Sequence, residues 1–327
     1  MDVTGEARTL RLNWRRVSAR DALTALVAIY FVGLTGYLVV FGGWTTPDLY
    51  LPGLFVVALL LGRGVTFVAD WAPFIGLLLA YEGLRSASDG LNKHVDWSTL
   101  AHIDRAIGLG QDPVVKLQAW LYRPGVDPLN VAVSMGYLGH FVIPVATAYF
   151  LWLRDRRAYW EFAGAMLLVS FLGFATFLAF PAAPPWMAAE HGVLPHVSRV
   201  IQDTLGRIVE PGTVQTTWEH VGSNEVAPFP SLHAAWPMLV ALTLWARMPS
   251  TRWRWTPFVY PLFMGFAIVY AGEHYAIDAI GGYAYAALVW WGIRWVAARM
   301  RERQRRTLGI EAERGTQAGP DVTPRGP

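Results

Sequence analysis

Long apolar runs separated by short charged stretches dominate this chain. Runs at or near spanning length cover 21–41, 65–84, 129–153, 160–181, 231–247, 256–272 and 274–297. Roughly 20 apolar residues cross a hydrocarbon core as a helix. A shorter run, 50–62, follows a break at Gly42, Gly43 and Pro47 and either spans with help from its flanks or forms a half-buried hairpin arm. The pattern predicts an all-α integral membrane protein with about eight spans. Two stretches, 86–128 and 182–229, are too polar to span and read as outer loops. In the first, Trp97, Leu100, Ile103 and Ile107 recur at helical spacing, which predicts an interfacial helix over 97–107 and a second over 113–122. In the second, Val197, Val200, Ile201, Leu205 and Ile208 share one amphipathic face. Asp70 and Pro73 interrupt the span at 65–84. An ionisable residue there is costly unless it faces protein or water, so Asp70 is expected to make a polar contact inside the bundle, or else to lie at the span's end.

These runs divide the chain into three parts. Residues 1–64 form a basic N-terminus and a membrane hairpin. Residues 65–298 form a six-helix core. Residues 299–327 are basic and then rich in Gly, Pro and Thr, which predicts a disordered tail. One helix from 256 to 297 would be about twice the length needed to span. A hinge is therefore expected at Gly272, with Glu273 capping the next helix.

Composition excludes a soluble domain. The chain is 54% hydrophobic, 16% charged and carries 16 tryptophans, against roughly 25% charged residues in soluble domains. It lacks cysteine, which excludes disulfides and thiol catalysis. The net charge of +3 is mostly arginine, with lysine only at Lys93 and Lys116; the bias points to a GC-rich bacterial genome. No feature suggests a nucleic-acid partner. The first run lacks a small-residue cleavage site and reads as a retained span.

Charge placement then orients the bundle. With eight spans, the N-terminus, Arg63, the expected 154–157 loop, Arg247, Arg252, Arg254 and the tail share one side. That side is expected to be cytoplasmic, with both termini there. The two outer loops, the start of the 231–247 span and the Gly272 turn fall on the extracytoplasmic side.

The candidate chemistry lies on that side. Pro228 and Pro230 precede Ser231, a plausible N-cap, and His233 follows just inside the helix. His274 and Asp278 are spaced i, i+4, which places both on one face of the next helix. A helix start presents free N–H groups that suit a phosphate. Two imidazoles and a carboxylate can run a covalent phosphoryl transfer without metal or cofactor: one attacks phosphorus, the other protonates the leaving oxygen and then activates an acceptor. Two other readings fit the same residues. The His–Asp pair can be a strut or proton relay in a scaffold or transporter. His, His and Asp can also bind zinc, although the histidines are far apart with no further ligand cluster. His140 reads as a packed structural histidine, and His191, His196 and His220 as solvated loop residues.

PSLHAAW at 230–236 and HYAID at 274–278 resemble the second and third signature motifs of the type 2 phosphatidic acid phosphatase superfamily. The chain is closer to its inositol-phosphorylceramide synthase-like branch, on the Ala183-Pro184-Pro185-Trp186 turn and the segment DWAPFIGLLLAYEGLR at 70–85. The resemblance covers most of 65–298. It implies that His274 is the nucleophile forming a phosphohistidine, that Asp278 orients it, and that His233 is the general acid and then base. Ser231 would touch the phosphate. A lipid phosphate or phospholipid from the bilayer would be the donor, and water, a polyol or another lipid the acceptor.

The motifs also depart from the family. Leu232 stands where the second motif usually has glycine, and Ile268 where the third usually has arginine. Lys116, Arg123 and Pro124 match the letters of the first motif, but two spans intervene before His233. Lys116 and Arg123 are read as phosphate ligands or as interfacial charges snorkelling to headgroups. Failing them, Arg85, Lys93 or Arg105 and the helix N-termini are the expected phosphate holders.

Overall fold

The computed structural model describes residues 47–88, 94–208, 226–249 and 251–317, with Ile29 and Gly33. The remainder of the expected first span, the basic segment 1–20, Lys93, His220 and the tail beyond 317 lie outside the described residues.

The regular structure is helical, and among the described residues there is no strand, only an isolated bridge between Asp96 and Ala182. In chain order the helices are α1 (Pro47–Leu60), α2 (Gly64–Ala87), α3 (Thr99–Ile107), α4 (Pro113–Leu121), α5 (Pro128–Arg154), α6 (Arg156–Ala179), α7 (Pro185–Glu190), α8 (Val200–Ile208), α9 (Leu232–Trp245), α10 (Val259–Tyr270) and α11 (Ala276–Gln317). A 3₁₀ segment, Arg252–Phe258, leads into α10. Among the described residues, three helices are long and apolar enough to cross a membrane: Gly64–Arg85 of α2, α5 and α6. α9 and the Tyr50–Leu60 part of α1 are shorter apolar helices.

The interfacial helices expected at 97–107 and 113–122 are α3 and α4. Proline at the first helical position starts α4, α5 and α7, where its missing N–H costs nothing. Three local expectations differ from what is observed. The basic stretch at 154–157 is a turn of one residue, because Asp155 caps α6 directly, accepting from Arg157 N and Ala158 N at 3.1 Å. The last helix runs on to Gln317, so the segment expected to be disordered from 299 begins as helix. Glu273 does not cap α11. Gly272 turns with a positive φ of 81°, and the chain needs three further residues before α11 begins at Ala276.

Two apolar cores stack along the bundle. One joins α1, α2, α5, α6, α9 and α11 around Trp71, Tyr149, Tyr159 and Phe162. Asp70 sits beside it as a bundle-interior contact, fully buried. Its carboxylate accepts from Trp152 Nε1 at 2.9 Å and Arg156 Nε at 2.6 Å. The second core lies at the other end, where α3, α4, α7 and α8 pack onto α5 and α10 through Leu100, Val114, Trp186 and Ile201. The described parts of the two outer loops, 94–128 and 182–208, thus form a folded cap over one end of the bundle.

Candidate active site

Both histidine motifs lie under that cap, at the starts of α9 and α11. The starts are joined through backbone: Ser231 N donates to the Asp278 carbonyl at 3.0 Å. Glycine makes this approach possible. A Cβ on Gly282 would stand 2.2 Å from Ser231 O, and one on Gly281 2.5 Å from the Phe229 ring.

The close approach brings His233 Nδ1 to 3.3 Å from His274 Nε2. On its other side, His274 Nδ1 lies 3.4 Å from Asp278 Oδ2, a close polar contact rather than a well-aligned hydrogen bond. Asp278 is fully buried, and its Oδ2 accepts from Tyr275 N at 2.8 Å. His274 occupies the turn before α11 instead of its first helical turn, yet the i, i+4 relation to Asp278 survives. Its position is fixed from behind, because Glu273 N and His274 N both donate to the Ile268 carbonyl. Tyr137 stacks on the His233 ring with centroids 4.5 Å apart.

Ser231 is in extended conformation at the N-cap position but makes no side-chain cap. Its Oγ is buried and has no hydrogen-bond partner among the described residues. A buried orphan hydroxyl is costly, and this one stands two residues from His233. The arrangement suits a ligand oxygen.

Sequence reasoning did not find the residue that caps α11. Asp104 of α3 is buried, and its Oδ1 accepts from Ile277 N at 2.9 Å. Its Oδ2 has no partner among the described residues. Burial pushes its carboxyl up to about 6. The sequence signal was present but ambiguous: an acid at 104 on an amphipathic helix reads as solvent-facing. His140 is packed, as expected, on Trp236 with centroids 4.6 Å apart. The sequence did not show that its other neighbour is His233, at 4.5 Å.

The expected cations have different partners. Lys116 lies over the Trp120 ring at 5.0 Å, and the Arg123 carbonyl accepts from Asn130 Nδ2. Among the described residues, no hydrogen bond, ion pair or ring contact joins either to the histidines. Arg105 is held by Asp112 through two hydrogen bonds. Arg85, at the end of α2, acts electrostatically on both Tyr137 and His233. Arg199, which the sequence reading overlooked, lies 3.9 Å over the Trp186 ring and 3.6 Å from Glu273, beside the turn that carries His274. The Ala183–Trp186 turn holds this corner: Trp186 N donates to the Gly272 carbonyl at 3.3 Å. Among the described residues, no group of three or more His, Cys, Asp or Glu side chains could hold a metal ion.

The profile of the PAP2 superfamily matches residues 98–292, which include α3, the cap and both histidine motifs. The chain belongs to the PAP2 superfamily. It is a membrane protein of the lipid phosphatase and phosphotransferase kind, in the inositol-phosphorylceramide synthase-like branch. It is 27% identical over 289 residues to the phosphoinositol dihydroceramide synthase of Bacteroides thetaiotaomicron, covering 84% of this chain and 91% of that one. It is 30% identical over 116 residues to the catalytic subunit of inositol phosphorylceramide synthase from Schizosaccharomyces pombe, covering 34% of this chain and 27% of that one. The inositol phosphorylceramide synthase of Candida albicans is 31% identical over 148 residues, covering 44% and 31%. The chain thus spans most of the bacterial relative but about a third or less of the fungal ones. No solved structure matches significantly.

Proposed function

We propose that this PAP2 protein transfers an inositol-phosphate-type headgroup from a phospholipid to the hydroxyl of a second lipid, through a covalent phosphohistidine on His274. The observation that carries the reading is the row Asp278 Oδ2, His274 Nδ1, His274 Nε2, His233 Nδ1, with contacts of 3.4 Å and 3.3 Å. Asp278 favours the tautomer with a proton on His274 Nδ1, which leaves the Nε2 lone pair free to attack. That attack forms an N–P bond and breaks the bond from phosphorus to the glycerol oxygen of the donor. His233 gives its proton to that oxygen. Now neutral, it takes the proton from the acceptor hydroxyl, whose oxygen attacks phosphorus and breaks the N–P bond. A phosphorus atom does not fit between nitrogens one hydrogen bond apart, so His233 moves aside as the donor enters.

The phosphate holders in this reading are Ser231 Oγ, the α9 N-terminus and the cations Arg85 and Arg199. They stand in for the arginine replaced by Ile268. Lys116 and Arg123 keep the interfacial alternative. The bacterial relative's name supports a ceramide-type acceptor. The cap over the histidines supports transfer over hydrolysis, because it restricts water.

The extracytoplasmic face is part of the same proposal. Its support is that Arg154, Arg156, Arg157, Arg247, Arg252 and Arg254 gather at the bundle end away from the histidines. The test is purified protein in detergent, with EDTA present, given a phospholipid labelled in its headgroup and a ceramide-type acceptor. Label should move to the acceptor faster than to water. Release to water alone would make the protein a phosphatase or phospholipase-type enzyme, and loss of turnover with EDTA would revive the metal reading.

A further inference from the structure

At the end of the bundle opposite the histidines, α6, α9 and α11 enclose an open cleft. The cleft is shallow: most of the roughly 240 Å³ between its walls is its open mouth, and its floor has room for about one water molecule. Its polar lining is Glu161, Thr243, Arg247 and Arg294; Phe162, Ala165 and Ile293 form much of the rest. Glu161 is the centre of the charge. Arg157 Nε donates to its Oε1 at 3.2 Å, Arg301 Nη1 lies 3.7 Å from the same oxygen, and Arg247 Nη2 lies 3.8 Å from Oε2. One carboxylate therefore serves three guanidinium groups. Arg294 adds a fourth, held 4.7 Å over the Trp290 ring, and it acts on Arg247 as a like charge. Asp155, which caps α6, reaches Arg247 only through the field. Among the described residues, the guanidinium groups named here outnumber the carboxylates shown against them.

We propose that this cleft binds the phosphate of an anionic phospholipid in the leaflet opposite the histidines. Three features select a lipid over a free anion. Apolar side chains, Phe162, Ala165 and Ile293, edge the cleft's open mouth, against which glycerol and the first acyl carbons would lie outside it. Trp291 and Trp295, exposed on the same stretch of α11, and Trp160 on α6 mark interfacial depth, where tryptophan concentrates. Basic pockets between spanning helices suit anionic headgroups, since each surface arginine adds attraction. The bound phosphate would take the place that Glu161 fills too sparsely, and would tie α6, α9 and α11 together. The inference goes beyond the proposed transfer reaction and stands or falls independently of it.

The experiment is native mass spectrometry of the full chain in detergent, titrated with phosphatidylglycerol, phosphatidylcholine or inorganic phosphate. The wild type should retain phosphatidylglycerol on the order of tenfold better than phosphatidylcholine. Arg247→Gln with Arg294→Gln should abolish the preference, and Glu161→Gln, which removes the competing anion, should raise it. Equal retention of both lipids by the wild type would overturn the proposal. So would a preference unchanged in both variants, or displacement of the lipid by equimolar inorganic phosphate. The Glu161→Gln arm keeps the test decisive if the double arginine variant does not fold.

Discussion

Gly282→Ala adds one methyl group at the contact that sets the distance between the two histidines. Gly282 lies one turn beyond Asp278 on α11 and faces the start of α9. The new Cβ would meet Ser231 O at 2.2 Å, Ala234 Cβ at 3.1 Å and Ala235 N at 3.2 Å. Two of these atoms are backbone and cannot rotate away. Reaching ordinary contact requires α9 and α11 to part by about 1 Å. Such overpacking costs about 1–3 kcal/mol, offset by about 0.5–1 kcal/mol from replacing a helical glycine with alanine. A net loss of about 1–2 kcal/mol is expected. The effect on turnover should be larger than on stability. The Ser231–Asp278 backbone bond and the 3.3 Å histidine contact both lie at this joint, and misplacing reacting groups by about 1 Å can cost roughly 10²-fold. The assay is headgroup transfer, resolved into kcat and KM, beside thermal unfolding in detergent. Gly292→Ala is the control, since a Cβ there meets nothing within 4 Å; it should be neutral or slightly stabilising. A Gly282→Ala protein with wild-type turnover and melting temperature would refute the reasoning.

Three further outcomes follow from the same geometry. Asp278→Asn should lower kcat by roughly 10²–10⁴-fold with little change in KM, because it disturbs the His274 tautomer rather than donor binding; an equal loss in both parameters would contradict this. Asp104 holds a proton more tightly folded than unfolded, so its contribution to stability is fully present below about 4 and falls away as pH rises to about 6. Asp104→Asn should therefore be more stable than wild type at pH 8, by on the order of 2–3 kcal/mol, with the advantage shrinking towards pH 5; a pH-independent difference would refute the assignment. Asp70→Ala should destabilise by about 2–3 kcal/mol, since it leaves Trp152 Nε1 buried without its acceptor. A global melt in detergent reads this loss, and an unchanged midpoint would count against the buried contact.

How far the sequence could be read depended on whether the signal was local. Hydrophobic run length located the helices that carry the site, and the i, i+4 spacing of His274 and Asp278 survived the shift of His274 into a turn. The motifs identified the residues that meet at the site. Contacts set by tertiary packing were not legible. Arg199 sits in a loop, and only the fold of the cap brings it onto Trp186 beside His274. Asp104 looked like the polar side of an interfacial helix, yet it caps a helix 172 residues further along the chain. Ser231 matched a capping pattern, but its buried hydroxyl makes no cap. Lys116 and Arg123 match the letters of a motif, but letters alone do not place a long side chain against a phosphate. Asp155 shows the same limit in the other direction: one cap collapsed an expected loop into a single-residue turn.

The central claim is a covalent intermediate on His274. Its most direct test is intact and peptide mass spectrometry of the purified protein mixed with donor phospholipid, without acceptor, and quenched at alkaline pH. The account predicts an acid-labile mass gain equal to the phosphorylated headgroup, mapped to His274, absent from His274→Ala and discharged when acceptor is added. Transfer activity in folded His274→Ala protein, or an adduct on any other residue, would contradict it.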